Sequence, residues 1–280
     1  MAVKIVSDST CDIEKSWIDE HGLIIVPLKV MFGTEEYSDG VTLSKEQFYE
    51  KLSSGKVLPT TSQVTPGEFT SLFSGILAEG SDIVFLSLSN FISGTYQSAV
   101  SAKNSLSDER IHLFDTFSAN CGHALMVRIA VQLRDEGLTA EEILSRLESI
   151  RPKLRFYICL DTLHYLKLGG RLPASSAFIG ELLNIKPILT LEEGKVAIVE
   201  KKRSLPKTFD WLAAKIKSTG IDRNFPVCLG HSNSPQALDS MVRQLESKGI
   251  TLHDTLTGII GAVIATHAGP GAVSIAYIEA

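Results

Sequence analysis

Three short patches of hydroxyl, imidazole and glycine residues are the part of this chain whose residue types could do chemistry. They are residues 60–63 (Thr-Thr-Ser-Gln), 93–98 (Ser-Gly-Thr-Tyr-Gln-Ser) and 266–271 (Thr-His-Ala-Gly-Pro-Gly). Each lies next to the end of a predicted strand or helix, where backbone N–H groups are unpaired. Hydroxyls and such N–H groups form a neutral, donor-rich site for an anion. Because no patch contains lysine or arginine, the predicted ligand is an anionic head group that is hydrogen-bonded but not neutralised.

Each patch also has an ordinary structural explanation. Ser93 and Thr95 could serve only as helix caps, because hydroxyl residues favour that position. Thr61 and Ser62 could belong to an ordinary loop, and His267 could be a structural histidine on a glycine-rich turn. The residues by themselves leave these alternatives open.

The length and composition limit the number of domains and argue against a nucleic-acid-binding or membrane-spanning protein. A chain of 280 residues can form one large domain or two ordinary ones, and 44% of its residues are hydrophobic. A formal net charge of −5 gives no overall attraction to nucleic acid or to an anionic membrane. The longest apolar stretch, residues 258–265, is too short to span a bilayer, so we expect no integral membrane segment.

The cysteines and the N-terminal residues indicate a compartment. The four cysteines are widely spaced and form no C-x-x-C pair, which argues against a zinc site and a disulfide framework. The N-terminus leads directly into an apolar strand with no visible secretion signal. We therefore expect a cytoplasmic protein without a bound metal.

Predicted strands and helices alternate over the first half of the chain. Continuous apolar runs predict strands over 3–7, 23–30, 82–89 and 111–115. A hydroxyl residue followed by Glu or Gln three residues later predicts helix starts at Ser44, Thr65 and Thr139, and Asp12 is a candidate cap for a helix ending before Gly22. This pattern indicates a parallel sheet covered by helices, which binds ligands at the carboxyl ends of its strands.

The second half of the chain is predicted to contain a β-hairpin in addition to further strands and helices. Strands are predicted over 155–160, 186–191, 196–199, 227–230 and 272–278, with helices over 205–218 and 235–248. The predicted fold class is therefore α/β with two domains, a Rossmann-like parallel-sheet domain over residues 1–155 and an α+β domain over residues 156–280.

Sequence signatures of nucleotide binding and hydrolysis are missing. The chain has no P-loop, no H-E-x-x-H and no G-x-S-x-G. Gly269-x-Gly271 could begin a dinucleotide fingerprint, but nine following residues cannot form the required βαβ unit. No nucleotide cofactor is predicted.

The chain resembles the DegV family, the class that includes the fatty-acid-binding subunit of bacterial fatty acid kinase. Segments matching the family's motifs occur in order along the whole chain. They are residues 7–12, 26–28, 61–63, 93–99, 165–171, 185–188 and 267–272.

The resemblance implies two domains with a long-chain fatty acid in a cleft between them. It implies that Thr61 and Ser93 hydrogen-bond the acyl carboxylate, with His267 nearby; Ser62, Gly94 and Thr95 share these patches and are included in the predicted binding site. It also implies that Arg171 and Arg203, placed outside this cradle, serve a separate ATP-dependent kinase subunit or the transferred phosphate. The protein would then be a carrier subunit with no cofactor, and not itself an enzyme.

Two positions depart from the family pattern. Residues 90–92 are Asn-Phe-Ile where the family commonly has a Ser-Gly-Leu type sequence, and the bulky Phe91 could change the pocket shape. Ser232 follows His231 where the family often has alanine.

The residues leave two other functions open. Ser93 as nucleophile and His267 as base would suit a hydrolase of acyl or phosphate esters. A lipid-responsive regulatory module would bind a fatty acid without presenting it to a kinase. The apolar residues Phe178, Ile179, Leu182 and Leu183 would either line the acyl tail or belong to the core.

Overall fold

The computed structural model describes residues 2–55, 57–172 and 185–280. The predicted apolar face at Phe178, Ile179, Leu182 and Leu183 lies outside these residues. The elements of the first half are β1 (Val3–Asp8), α1 (Lys15–His21), β2 (Ile24–Val26), β3 (Lys29–Phe32), β4 (Glu35–Ser38), α2 (Lys45–Ser53), β5 (Thr60–Ser62), α3 (Pro66–Ala78), β6 (Asp82–Ser87), α4 (Thr95–Leu106), β7 (Ile111–Asp115), α5 (Asn120–Asp135) and α6 (Ala140–Ile150).

The second half continues the mixture of strands and helices. Its elements are β8 (Leu154–Cys159), α7 (His164–Leu168), β9 (Lys186–Glu192), β10 (Lys195–Lys202), α8 (Leu205–Thr219), β11 (Cys228–His231), α9 (Pro235–Ser247), β12 (Leu256–Ile259), α10 (Ala262–Ala268) and β13 (Val273–Ile278).

The described strands form three sheets. A parallel four-stranded sheet has the order β2-β1-β6-β7, and a mixed six-stranded sheet has the order β10-β9-β8-β13-β11-β12. A small antiparallel sheet, β4-β3-β5, stands apart from both. The predicted mixed α/β class, with a parallel sheet followed by a separate mixed sheet, is confirmed. The domain boundary near residue 155 stays a prediction.

Helix α5 joins the two large sheets. It contacts β1 and β6 of the parallel sheet and β8, β11 and β13 of the mixed sheet. Its residues Leu125, Met126, Val127 and Ala130 are fully buried because apolar side chains occupy most of its circumference. The main core therefore extends across both sheets, and a second core lies beneath α8 and α9 around Phe209, Leu212 and Met241.

The helix starts were predicted correctly where the sequence contains both residues of a capping box. Ser44, Thr65 and Thr139 each cap a helix, and each forms a reciprocal capping box with the residue three positions later. The predicted cap at Asp12 is wrong. Helix α1 begins after Glu14, and Asp12 instead adopts the left-handed conformation (φ 55°) at the end of a short 3₁₀ helix.

The predicted strand over 23–30 is also wrong, because the segment contains two strands of different sheets. Strand β2 pairs in parallel with β1, and β3 pairs antiparallel with β4 and β5. Pro27 has no N–H to donate to a ladder, and the N–H of Leu28 donates to Ser9 Oγ at 3.2 Å instead of to a neighbouring strand. The chain therefore changes sheets at this point.

Candidate functional site

A cavity of about 300 Å³ is lined by both halves of the chain. Its polar lining comes from β5 and the following Gln63, from the turn before α4, from α10, from Arg171 after α7 and from Thr190 of β9. Most of the remaining lining is aliphatic or aromatic. These apolar residues include Leu28, Leu88, Ile92, Phe156, Ile158, Leu160, Leu166, Leu189, Leu191, Val196, Val263 and Ile264. The cavity thus combines a small polar group with a larger apolar surface, as ligand pockets commonly do.

The sequence-predicted residues come together only in part. Thr61, Ser62, Ser93, Gly94 and His267 all line the cavity. Arg171 also lines the cavity, whereas Thr95 is buried behind the lining and Arg203 lies away from it.

Strand β5 carries Thr61 and Ser62 to the cavity. It pairs antiparallel with β3, with Thr61 opposite Val30 and Ser62 opposite Lys29. A strand of three polar residues gives no sequence periodicity, so sequence reasoning did not find it. Its position depends on β3, which lies some thirty residues earlier in the chain.

Gln63 fastens β5 to the start of α4. Its Nε2 donates to Ser98 Oγ at 2.8 Å, and a Cβ on Gly94 would lie 2.0 Å from its Oε1. Only glycine at position 94 therefore leaves room for this amide. Gln63 lines the cavity but was given no role from the sequence, where it belongs to the 60–63 patch and to the family-matching segment 61–63.

Ser93 is held by Thr95. The two hydroxyl oxygens are 3.0 Å apart, and the Thr95 N–H donates to Ser93 Oγ at 3.3 Å. Thr95 is fully buried and does not line the cavity, so it can orient Ser93 without facing a ligand.

His267 bonds directly to Thr61. Its Nε2 lies 2.8 Å from Thr61 Oγ1, across 206 residues of sequence. Burial, assisted by the Arg171 guanidinium, lowers the pKa of His267 to about 4, so the imidazole is neutral at pH 7. His267 lies in the last turn of α10, which corrects its predicted placement on a glycine-rich turn.

Arg171 lines the cavity, which corrects the prediction that it lies outside the polar cradle. Its Nη1 donates to Gly169 O at 2.7 Å and its Nε donates to Ile92 O at 3.2 Å. Arg203 is exposed between β10 and α8 and does not line the cavity. The two arginines therefore occupy different surroundings.

The two departures from the expected motif fall outside the polar lining. Phe91 is 52% exposed with the Lys195 Nζ 4.9 Å from its ring centroid, while its neighbour Ile92 lines the cavity. Ser232 is buried, donating to Gly269 O at 2.6 Å and accepting from the Ala272 N–H at 2.8 Å. The serine hydroxyl thus fixes the turn that follows α10.

Metal-binding groups and membrane-spanning helices were both sought among the described residues. No three His, Cys, Asp or Glu side chains within residues 2–55, 57–172 and 185–280 are arranged to hold a metal ion. No helix in the same part of the chain has the length and apolar character needed to cross a bilayer.

A family model described as "Uncharacterised protein, DegV family" matches residues 2–280. The chain belongs to the DegV family. A DegV domain-containing protein of Caldanaerobacter subterraneus subsp. tengcongensis is 35% identical over 278 residues, covering 99% of each chain.

Solved DegV structures have the same fold over the whole chain. A fatty-acid-binding DegV family protein from Thermus thermophilus is 32% identical with a TM-score of 0.90, covering 99% of this chain and 100% of its own. DegV from Bacillus subtilis, described as a fatty acid binding protein, is 30% identical with a TM-score of 0.85 and covers 100% of both chains.

Proposed function

We propose that this protein binds a long-chain fatty acid and presents its carboxylate to a separate ATP-dependent kinase subunit. The observation that carries the proposal is the cavity in which Thr61, Ser93 and neutral His267 share one lining with a large apolar surface. The fatty-acid-binding DegV proteins of Thermus thermophilus and Bacillus subtilis support the choice of ligand.

The apolar lining would supply most of the affinity. Burial of a methylene group contributes about 0.8 kcal/mol, so a sixteen-carbon tail contributes roughly 11 kcal/mol before ordering costs. A hydrogen bond to the charged carboxylate contributes only about 1.5–3 kcal/mol. The tail therefore determines affinity, and Thr61 and Ser93 determine where the carboxylate lies.

Neutral donors suit a carboxylate that must react. In the proposed transfer, a carboxylate oxygen forms a bond to the γ-phosphorus of ATP as the bond to the β–γ bridging oxygen breaks, giving acyl phosphate and ADP. Hydroxyl donors position this nucleophile without the strong ion pairing that a bidentate arginine imposes. The Arg171 guanidinium lines the cavity, and its two contacts described above are to backbone carbonyls. Because carbonyls do not cancel its positive charge, that charge could stabilise the transferred phosphoryl group.

The first test is direct measurement of the ligand and its head-group contacts. Protein purified and denatured in organic solvent should release close to one fatty acid per chain, measured by mass spectrometry. The double variant Thr61→Val/Ser93→Ala should lose at least about 100-fold in hexadecanoate affinity, because two bonds to a charged group are removed. Thr70→Val/Ser71→Ala on helix α3 is the matched control and should bind normally. Unchanged binding by the cavity variant would exclude the proposed head-group site.

Arg203 provides a test of the kinase step. Because it is exposed and does not line the cavity, Arg203→Ala should leave hexadecanoate affinity within about 2-fold while slowing acyl phosphate formation by 10-fold or more. Binding titrations and phosphorylation by a fatty acid kinase with ATP measure the two quantities separately. Equal losses in both would instead make Arg203 a structural or head-group residue.

The geometry gives less support to the hydrolase alternative. Ser93 Oγ bonds to Thr95 while His267 Nε2 bonds to Thr61, so the nucleophile and the base are not paired. Among the described residues His267 Nδ1 has no hydrogen-bond partner, hence no carboxylate orients the ring. An ester-hydrolysis assay without turnover would agree with this geometry. Adding the kinase subunit and ATP then distinguishes a presenting subunit, which should yield acyl phosphate, from a lipid sensor, which should not.

A further inference from the structure

The cavity described above, here called the ligand cavity, shares part of its lining with a second space. This space is a cleft of about 810 Å³, here called the side cleft, and it reaches the surface because the exposed residues Glu193 and Lys215 belong to its lining. Phe156, Thr190 and Leu191 line both the ligand cavity and the side cleft. Their side chains therefore form a shared wall between the two spaces.

The shared wall lies where two strands of the mixed sheet separate. The ladder between β8 and β9 ends at the pair Ile158 and Leu189, and the next pair in this register, Tyr157 with Thr190, is not formed in the described part of the chain. Beyond that point β8 remains paired with β13, and β9 remains paired with β10. Thr190 Oγ1 donates to Phe156 O at 2.6 Å across the opening. One side-chain hydrogen bond thus stands where a backbone ladder would close the sheet.

Phe156 has the largest side chain in the shared wall. Together with Ile158 it faces the ligand cavity, because residues two apart on a strand point to the same side of a sheet. Phe156 is only 7% exposed, so its ring is packed between the two spaces and not solvated. Ile158 lines the ligand cavity but does not line the side cleft. Of these two neighbours on one strand face, only Phe156 therefore separates the ligand cavity from the side cleft.

We infer that Phe156 is a specificity-determining residue, which ends the ligand cavity toward the side cleft and so limits the length of the acyl chain. The inference rests on the proposed function, since the chain is that of the bound fatty acid. Because no backbone ladder closes the opening, removal of the Phe156 ring joins the two spaces. A longer chain would then end beside charged groups of the side cleft such as Arg151 and Glu192, where a polar terminal group keeps its hydration.

Phe156→Ala tests the limit on chain length. The ratio of docosanoate to hexadecanoate affinity, measured by competition on delipidated protein, should rise at least about 10-fold over the parent, because the additional methylene groups enter the side cleft. Ile158→Ala enlarges the ligand cavity without opening the shared wall, so this matched control should keep the ratio within about 3-fold of the parent. The low solubility of docosanoate affects every variant equally and cancels when the ratios are compared.

Terminally hydroxylated acids test where the end of the chain lies. A hydroxyl among the apolar residues of the ligand cavity loses its hydrogen bonds with water, so the parent should bind 16-hydroxyhexadecanoate at least about 10-fold more weakly than hexadecanoate. In Phe156→Ala the end of the longer chain reaches solvated residues. This variant should therefore bind 22-hydroxydocosanoate within about 3-fold of docosanoate.

The outcomes separate this inference from the proposed function. Absence of hexadecanoate binding by the parent protein would contradict the proposed function. Binding by the parent, with an unchanged affinity ratio in folded Phe156→Ala or with the hydroxyl penalty retained on the longer chain, would overturn only the role of Phe156. Phe156→Val also removes the ring but keeps a residue suited to strands, so it decides the same question where circular dichroism shows that Phe156→Ala does not fold.

Discussion

Replacing Gly169 with alanine is expected to reduce bound fatty acid by at least 10-fold in a protein that still folds. The new methyl group would lie 2.1 Å from His267 Nδ1, well inside van der Waals contact. The backbone of Gly169 cannot easily withdraw, because its N–H donates to Tyr165 O at 2.9 Å and its carbonyl accepts from Arg171 Nη1 at 2.7 Å. The imidazole must then move away from Thr61.

The expected defect is steric and local. Gly169 has a right-handed helical conformation (φ −74°), which alanine adopts without backbone strain. Overpacking of this kind costs about 1–3 kcal/mol of folding stability, which a domain of ordinary stability tolerates. Lipid extraction with mass spectrometry measures occupancy, and urea denaturation measures the free energy of unfolding.

Gly75→Ala is the matched control for this substitution. Gly75 lies inside α3, where a Cβ meets nothing within 4 Å. Alanine there should raise the free energy of unfolding by up to about 1 kcal/mol through helix propensity and leave occupancy unchanged. Normal occupancy in Gly169→Ala would show that the His267 ring position is not needed for binding.

The second large effect is a pH dependence of stability that originates at the start of α10. Asp39 is buried there and Asp12 is half-buried, and Asn120 Nδ2 donates to Asp12 Oδ2 at 2.6 Å. Burial raises the pKa of Asp12 to about 7 and that of Asp39 to about 6, and Lys45 lowers both in part. The Asp39 carboxylate raises the pKa of Asp12 further, and the Asp8 carboxylate raises that of Asp39. A raised pKa means that the folded state binds protons more tightly than the unfolded state.

The sign of the effect follows from proton linkage. The contribution of Asp12 to stability is fully present below the unfolded pKa of about 4 and is lost as the pH rises through about 7. His123, His231 and His267 act in the opposite direction, because burial lowers their pKa values. A comparison between the parent and an Asp12 variant removes the histidine contribution, which both proteins share.

Asp12→Asn should therefore become more stable relative to the parent as the pH rises. Between pH 5 and pH 8 we expect the difference in free energy of unfolding to change by about 3 kcal/mol in favour of the variant, since only the parent must ionise the Asp12 carboxyl. Urea denaturation of both proteins at pH 5, 6, 7 and 8 measures this difference. Asp19→Asn on the exposed surface of α1 should keep the parent's pH profile. A constant difference for Asp12→Asn would show that Asp12 ionises normally.

Sequence reasoning was sufficient where the signal is local. The capping boxes at Ser44, Thr65 and Thr139 satisfy backbone N–H groups within their own first turn, so no distant residue decides them. Strand β7 was predicted with its observed bounds because Ile111, Leu113 and Phe114 mark it within the sequence. The family motifs likewise depend only on residue order.

Residue order was thus enough to predict the alternation of elements and the patches that form the site. The partners that those patches contact depend on how the chain folds. Thr61 bonds to His267 across 206 residues, and Gly169 closes on the same imidazole through the contact between α7 and α10. The raised pKa of Asp12 likewise exists only where folding removes its carboxyl from water. Such contacts join segments far apart in the chain, so no local pattern of residue types encodes them.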